Sequence, residues 1–446
     1  MHPYVREAHR CGRTGRSRLL GLTLLVGCGG SLPLDDAPGP KRTEPRDCSL
    51  SGRMAYIQDL MTHEYLWAEQ VEPISPLGYT DPAAYLVDLR YESLDRWSYA
   101  RDLSEASDWF SSGAYVGGGY ALKRDGADQV RFSLVYPEGP AGDAGLSRGD
   151  RLLAINGQAI ESLTTAEAWS AAFGPVEAGA VVALDVRSPD SDAIWTAEVV
   201  LAEVTAPPIL SKRIFSLGDR TVGYFMLTTF IETAHDALDT VFRDFKAGGV
   251  DTVVVDLRYN GGGLLAVGRH LASLLAPDHA GDVYQRYWYN ESFAELNTAT
   301  HLDAYDHGIA ARDVVMLTTG ATASASEIVM HALEPYRTVS RMGATTAGKP
   351  VGMNHYEACD LLVAPITFQM GSRDTRATYF DGLTPDCAAS DDLLVPLGDD
   401  RDPMLAASVA WLESRTCPEP VPVRSAAYGP VYALNAWSQV RAGGIR

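Results

Sequence analysis

The sequence predicts a mixed α/β protein in which a small helical region and a β-rich module precede a core of alternating strands and helices. Three observations carry this. From residue 221 onward apolar runs alternate with amphipathic stretches: strand 221–227, helix 234–246 closed by Gly248-Gly249, strand 250–257 and helix 264–275. Residues 113–204 hold short β-rich runs (130–136, 151–155, 181–186, 195–201) around one helical stretch, 165–173. Residues 49–112 read as helical, with Met54, Ile57, Met61 and Tyr65 on one stripe and Asp81-Pro82 as N-cap and first-turn proline of a second helix. A chain of 446 residues that is 46% hydrophobic has room for two or three such units.

Ahead of them, Arg6, Arg10, Arg13, Arg16 and Arg18 precede the apolar run 19–26, which is too short to span a bilayer and reads as a signal peptide over residues 1–27. The run ends in Leu25-Val-Gly-Cys28, which resembles the bacterial lipobox. That resemblance implies cleavage before Cys28, lipidation of its thiol and an extracytoplasmic, membrane-anchored lipoprotein on the cell-envelope or periplasmic side. Residues 28–48, rich in Pro, Gly and charge, read as a flexible tether. Removing five arginines and one glutamate with residues 1–27 takes 37 basic and 57 acidic residues to 32 and 56, a formal charge of −24. This balance argues against nucleic acid or anionic headgroups as partners, so attachment would come from the acyl chains.

Cys48, Cys359, Cys387 and Cys417 remain after Cys11 leaves with the signal and Cys28 is lipidated. Their spacing carries no metal signature, and an oxidising compartment favours disulfides over small buried thiols. Cys359 and Cys387 flank one apolar segment and are the expected pair; Cys48 with Cys417 would tie the start of the folded region to its end. No His/Asp/Glu cluster has metal-ligand spacing, and no metal or cofactor is implied.

The stretch 318–350 carries the chemistry. An apolar strand, 314–317, runs through a Gly-Ala-Thr turn into a helix opening on Ser324-Ala-Ser-Glu327. A serine at a strand-to-helix turn lies beside unpaired N–H groups and the positive end of a helix, which suits a nucleophile whose reaction develops an anion. The same four residues also satisfy the S-x-x-E capping box, so capping and catalysis stand as alternatives. Lys349 lies in an uncharged run, Met342 to Gly348, where burial would disfavour its ammonium and bring it toward the range of a general base. Residues 343–349 also fit seven of eight positions of a P-loop, but Pro350 supplies neither hydroxyl nor N–H, so nucleotide binding is not expected.

Thr322-Ala-Ser-Ala-Ser-Glu327, then Gly348-Lys349, with Asp256-Leu-Arg-Tyr-Asn-Gly-Gly-Gly263 upstream, resemble the C-terminal processing (tail-specific) serine peptidases. The resemblance spans about residues 50–412 and implies Ser324 as nucleophile, Lys349 as base, and backbone N–H groups of Gly261 or Gly262 with Ala325 as the oxyanion hole. A tight α/β turn without chemistry is the other reading of Asn260 to Gly263. It implies a crotonase-like α/β spiral over residues 206–416. Pro335 and Met353 stand where some members carry an acidic residue and a glutamine that supports the lysine, so no third catalytic residue is assigned. His331 and His355 occupy no family position and are read as structural. The run Pro140 to Gly157 looks like a PDZ domain, placed at residues 113–205, which adds an extended peptide to a sheet edge. Gly117, Gly118, Gly119 and Tyr120 are its candidate carboxylate loop, or a plain strand bend.

The resulting expectation is a serine endopeptidase acting on proteins or peptides with accessible C-terminal tails, preceded by the small helical region 49–112 and followed by a tail, 417–446. A catalytically inactive PDZ scaffold is the alternative, motivated by Pro335 and Met353. A crotonase-like enzyme of small molecules is disfavoured by the PDZ module.

Overall fold

The computed structural model describes residue 45 and residues 47–419. The signal segment, Cys28, most of the tether and residues 420–446 lie outside the described residues.

The core is a six-stranded sheet in the order β1 (Ile209–Leu217), β2 (Arg220–Leu227), β3 (Thr252–Asp256), β4 (Asp313–Thr318), β5 (Thr338–Gly343), β6 (Cys387–Ala388). The β1–β2 hairpin is antiparallel and every later pairing is parallel. β3 and β4 are buried at every residue, as their unbroken apolar runs require of strands covered on both faces. One face is covered by helices Ala234–Ala247, Leu265–Leu275 and Ala325–Leu333, whose Phe242, Phe245, Leu271 and Ile328 join one apolar cluster. The other is covered by helix Pro403–Ser414 through Met404, Leu405 and Leu412. A second, antiparallel sheet of Thr298–His301, Val283–Tyr289, Ile366–Gly371 and Val351–Met353 completes the core.

The β-rich module is a six-stranded antiparallel sheet with Tyr120–Arg124 at its edge, next to Val130–Val135. It has its own apolar core around Phe132, Ile155, Leu184 and Trp169 of helix Ala166–Phe173. In the N-terminal region, helices Leu50–His63 and Pro82–Leu89 pack on the sheet formed by Tyr99–Asp102, Leu361–Ala364 and Tyr356–Ala358. The predicted caps are formed: Asp81 accepts from Ala83 N–H, and Pro82 opens its helix.

Cys48, Cys359, Cys387 and Cys417 are all in disulfides, but the expected pairing is corrected. Cys48 pairs with Cys359 and Cys387 with Cys417, at Cα separations of 5.9 and 5.3 Å. Nearness in sequence misled, because Cys359 lies at the tip of the Tyr356–Ala358/Leu361–Ala364 hairpin whereas Cys387 belongs to the central sheet. The first helix packs on that hairpin and brings Cys48 over it; the last helix crosses the central sheet and returns Cys417 to β6.

Non-reducing peptide mapping should therefore recover Cys48–Cys359 and Cys387–Cys417 fragments. With a sequence separation of 30 residues, loss of the second bond through Cys387→Ser should lower stability by about 3 kcal/mol. Fragments joining Cys359 to Cys387 would contradict this topology.

Candidate active site

Ser324 stands where β4 has passed through its turn and helix Ala325–Leu333 begins. Its backbone has φ 57° and ψ −116°, a conformation that L-residues rarely hold and that costs on the order of 1–3 kcal/mol. Threonines over-determine the turn: Thr322 Oγ1 donates to Leu257 O at 2.8 Å, Thr318 Oγ1 to Ala344 O at 2.8 Å, and the Thr319 hydroxyl to Arg258 O. Ser324 as a whole is left 9% exposed.

The glycine loop after β3 lies directly against this turn. Ala323 N–H and Ser326 Oγ both donate to Asn260 O, at 3.1 and 3.0 Å. Gly262 has φ +96°, and a Cβ there would stand 2.8 Å from Ser324 Cβ and 2.9 Å from Ala325 N, so only glycine fits. Gly262 N–H is committed to Asn260 Oδ1 at 2.9 Å. Among the described residues, Gly261 and Ala325 N–H have no acceptor within the chain, which makes them, rather than Gly262, the available backbone donors beside Ser324.

Glu327 joins the serine to the lysine loop. Its buried carboxylate accepts from Ser324 N–H and Lys349 N–H through Oε2, both at 2.8 Å, and from Gly348 N–H at 2.7 Å and the Thr346 hydroxyl through Oε1. Burial pushes its pKa up, and these donors partly offset that push. The two N–H groups a P-loop would offer a phosphate are thus already bonded, and Pro350 leads into strand Val351–Met353 instead of a helix.

His355 packs on Phe110 with ring centroids 5.3 Å apart. Burial, then the charge of Lys349, lowers its pKa to about 4. His331 points elsewhere, to Thr375 Oγ1 at 3.2 Å and Glu334 at 3.4 Å. Met353 is buried in the apolar cluster under the N-terminal helices, and Pro335 follows the end of the serine's helix; neither position offers a polar group to the lysine.

The glycine loop is also anchored to the β-rich module by charges that sequence reading missed. Asp391, 2% exposed at its side chain, meets Lys123 at 2.6 Å, Arg148 at 2.9 Å and Arg258 at 3.2 Å, and accepts from Tyr259 Oη at 2.6 Å. Burial alone would raise its pKa, but the three cations outweigh burial and hold it well below the usual carboxylate range. Arg148 Nη1 in turn donates to Tyr259 Oη at 2.7 Å. Arg258 and Tyr259 lie in the loop that presents Gly261 and Gly262, so a buried network runs from one unit to the other. Nothing local in the sequence marks it, beyond an arginine and a tyrosine beside the glycines.

In the β-rich module, Gly117 ends strand Ala114–Gly117, and Gly118 O and Gly119 O accept from Ala141 and Tyr136 N–H, both at 2.8 Å. The turn leads through Tyr120 into the edge strand, which is the arrangement that strand addition of a peptide needs.

The model of peptidase family S41 matches residues 221–389, that of the peptidase S41 N-terminal domain residues 54–99, and that of a PDZ domain residues 131–187. A carboxyl-terminal-processing protease of Picosynechococcus sp. is 28% identical over 317 residues, covering 69% of this chain and 72% of the relative. A protein of the same name from Synechocystis sp. is 30% identical over 235 residues, 52% of each chain; this chain thus spans about half the length of that relative. The crystal structure of a Bacteroides fragilis protein assigned to the S41 proteases is 25% identical, with a TM-score of 0.64 over 81% of this chain and 97% of that one. Along the chain, then, an S41 N-terminal domain, a PDZ domain and, around the serine turn, a domain of peptidase family S41, a family of serine peptidases, follow one another in that order.

Proposed function

We propose that this protein is a lipid-anchored extracytoplasmic endopeptidase that receives protein C-terminal tails on its PDZ domain and cleaves them with a Ser324–Lys349 dyad. The carrying observation is that one buried carboxylate, Glu327, holds the backbone N–H groups of both Ser324 and Lys349. The strained serine and the glycine loop against it supply the rest of an acyl-transfer site.

In this mechanism neutral Lys349 takes the proton of the Ser324 hydroxyl as its oxygen attacks the scissile carbonyl carbon. The resulting oxyanion is received by Gly261 and Ala325 N–H. Collapse breaks the C–N bond, the leaving amine takes the proton from Lys349, and an ester on Ser324 remains. Water, deprotonated by Lys349, then releases the acid and restores the serine. The other reading, a PDZ scaffold without activity, is favoured by one observation, the apolar burial of Met353 where a supporting side chain would stand.

Since the base works only when neutral, kcat should rise with pH as the Lys349 ammonium loses its proton. A base at His355, with its pKa near 4, would instead give a rate that levels off about one pH unit above that value. Lys349→Arg keeps the charge and cannot deprotonate, so it should lower kcat by about 10²–10⁴-fold. His331→Ala and His355→Ala should stay within about tenfold of the parent. Near-parental hydrolysis of a tail peptide by Lys349→Arg would exclude the lysine as base. Anchoring has its own test: Cys28→Ser should move the protein from the membrane pellet to the soluble fraction, and its retention in the pellet would exclude the acyl anchor.

A further inference from the structure

We infer that Arg96, in the N-terminal domain, is a positioning residue for the catalytic lysine; this rests on the Ser324–Lys349 reading above. Its guanidinium Nη2 donates to Ala347 O at 2.7 Å and to Phe380 O at 3.3 Å. The carbonyl of Ala347 and the N–H of Gly348 belong to one peptide group, and that N–H is bonded to Glu327. The peptide plane immediately before Gly348-Lys349 is therefore gripped at both ends, by the serine's helix on one side and by Arg96 on the other.

Two features make this a built contact. The turn that presents Arg96 is fixed by Asp95, which is 2% exposed and accepts from Trp97 N–H at 2.8 Å, Ser98 N–H at 2.9 Å and Tyr65 Oη at 2.8 Å. Ser98 Oγ accepts in turn from Ile366 N–H at 2.9 Å, tying the turn to the second sheet. The guanidinium lies 4.7 Å from the Trp97 ring centroid, which restricts its rotamers although the side chain is exposed. On the receiving side, Gly348 has φ +80° and no room for a Cβ, which would come within 2.3 Å of Phe380 O. The two backbone segments that Arg96 bridges are thus already in close contact, and a hydrogen bond to both carbonyls sets how Lys349 leaves that loop. A charged donor suits the task, since a cation bonds a carbonyl more strongly than a neutral donor does.

The test is steady-state kinetics of Arg96→Leu and Arg96→Lys on a tail peptide, beside Ser324→Ala and Lys349→Arg, with hydrogen exchange of the peptide covering residues 344–353. A displaced lysine costs rate more than binding. Arg96→Leu should therefore lower kcat about tenfold with KM within about twofold, and its 344–353 segment should exchange faster. Arg96→Lys, which still donates to one carbonyl, should recover much of the rate. A kcat within about twofold of the parent, a loss confined to KM, or unchanged exchange in 344–353 would overturn the role. Should Arg96→Leu not fold, a parental rate and exchange in the folded Arg96→Gln, whose shorter side chain cannot bridge both carbonyls, would overturn it equally. Activity surviving in Ser324→Ala and Lys349→Arg would instead defeat the dyad on which the inference rests.

Discussion

The buried carboxylate of Glu327 is the constraint on which the rest of the site depends. Taking a carboxylate fully out of water is costly, and four donors converging on its two oxygens offset that cost. Those donors come from two separate segments, the serine turn and the 346–349 loop. Any arrangement that satisfies Glu327 therefore also fixes where Ser324 and Lys349 begin. The strain at Ser324 is held by the same means, because its N–H is one of the four.

A second layer supports the first. Asn260 braces the glycine loop against the serine turn through its carbonyl, closes the loop by accepting from Gly262 N–H through Oδ1, and donates from Nδ2 to Leu227 O at 3.0 Å at the end of β2. Arg258, fully buried, pairs with Asp256, Asp391 and Asp402, and so ties the loop to β3, to the segment after β6 and to the start of the last helix. Removing one partner from such a buried set typically costs about 3–5 kcal/mol because a charge is stranded. Lys123 and Arg148 extend the set into the PDZ domain, whose attachment to the peptidase core is thus electrostatic next to the glycine loop as well as covalent.

Much of this was legible in the sequence where the signal is local. The apolar run 314–317 is the centre of β4, and the helix expected after Ser324 begins at Ala325. Residues 151–155 form the predicted strand, and residues 234–246 the predicted helix with one residue added. What failed was long-range. The cysteine pairing depends on which hairpin the first helix covers, and the roles of Arg96, Arg148 and Asp391 depend on contacts between segments up to 284 residues apart. The strand Val283–Tyr289 is rich in aromatic residues but has no strict alternation, because Tyr287, Trp288 and Tyr289 are consecutive, so its period is not legible in the sequence. From the sequence alone, the Ser324-Ala-Ser-Glu327 capping box stands against catalysis as an alternative. In the fold the glutamate that caps the helix also holds the lysine loop, so the cap and the proposed catalytic role do not compete.

The most direct measurement is the rate at which a fluorophosphonate labels Ser324, followed by peptide mapping, in the parent and in Glu327→Gln. The amide turns a donor toward N–H groups that need an acceptor, so the account predicts stoichiometric labelling at Ser324 in the parent and labelling slowed by about 10²-fold in a folded Glu327→Gln. Parental labelling in Glu327→Gln, or no labelling of Ser324 in the parent, would contradict it.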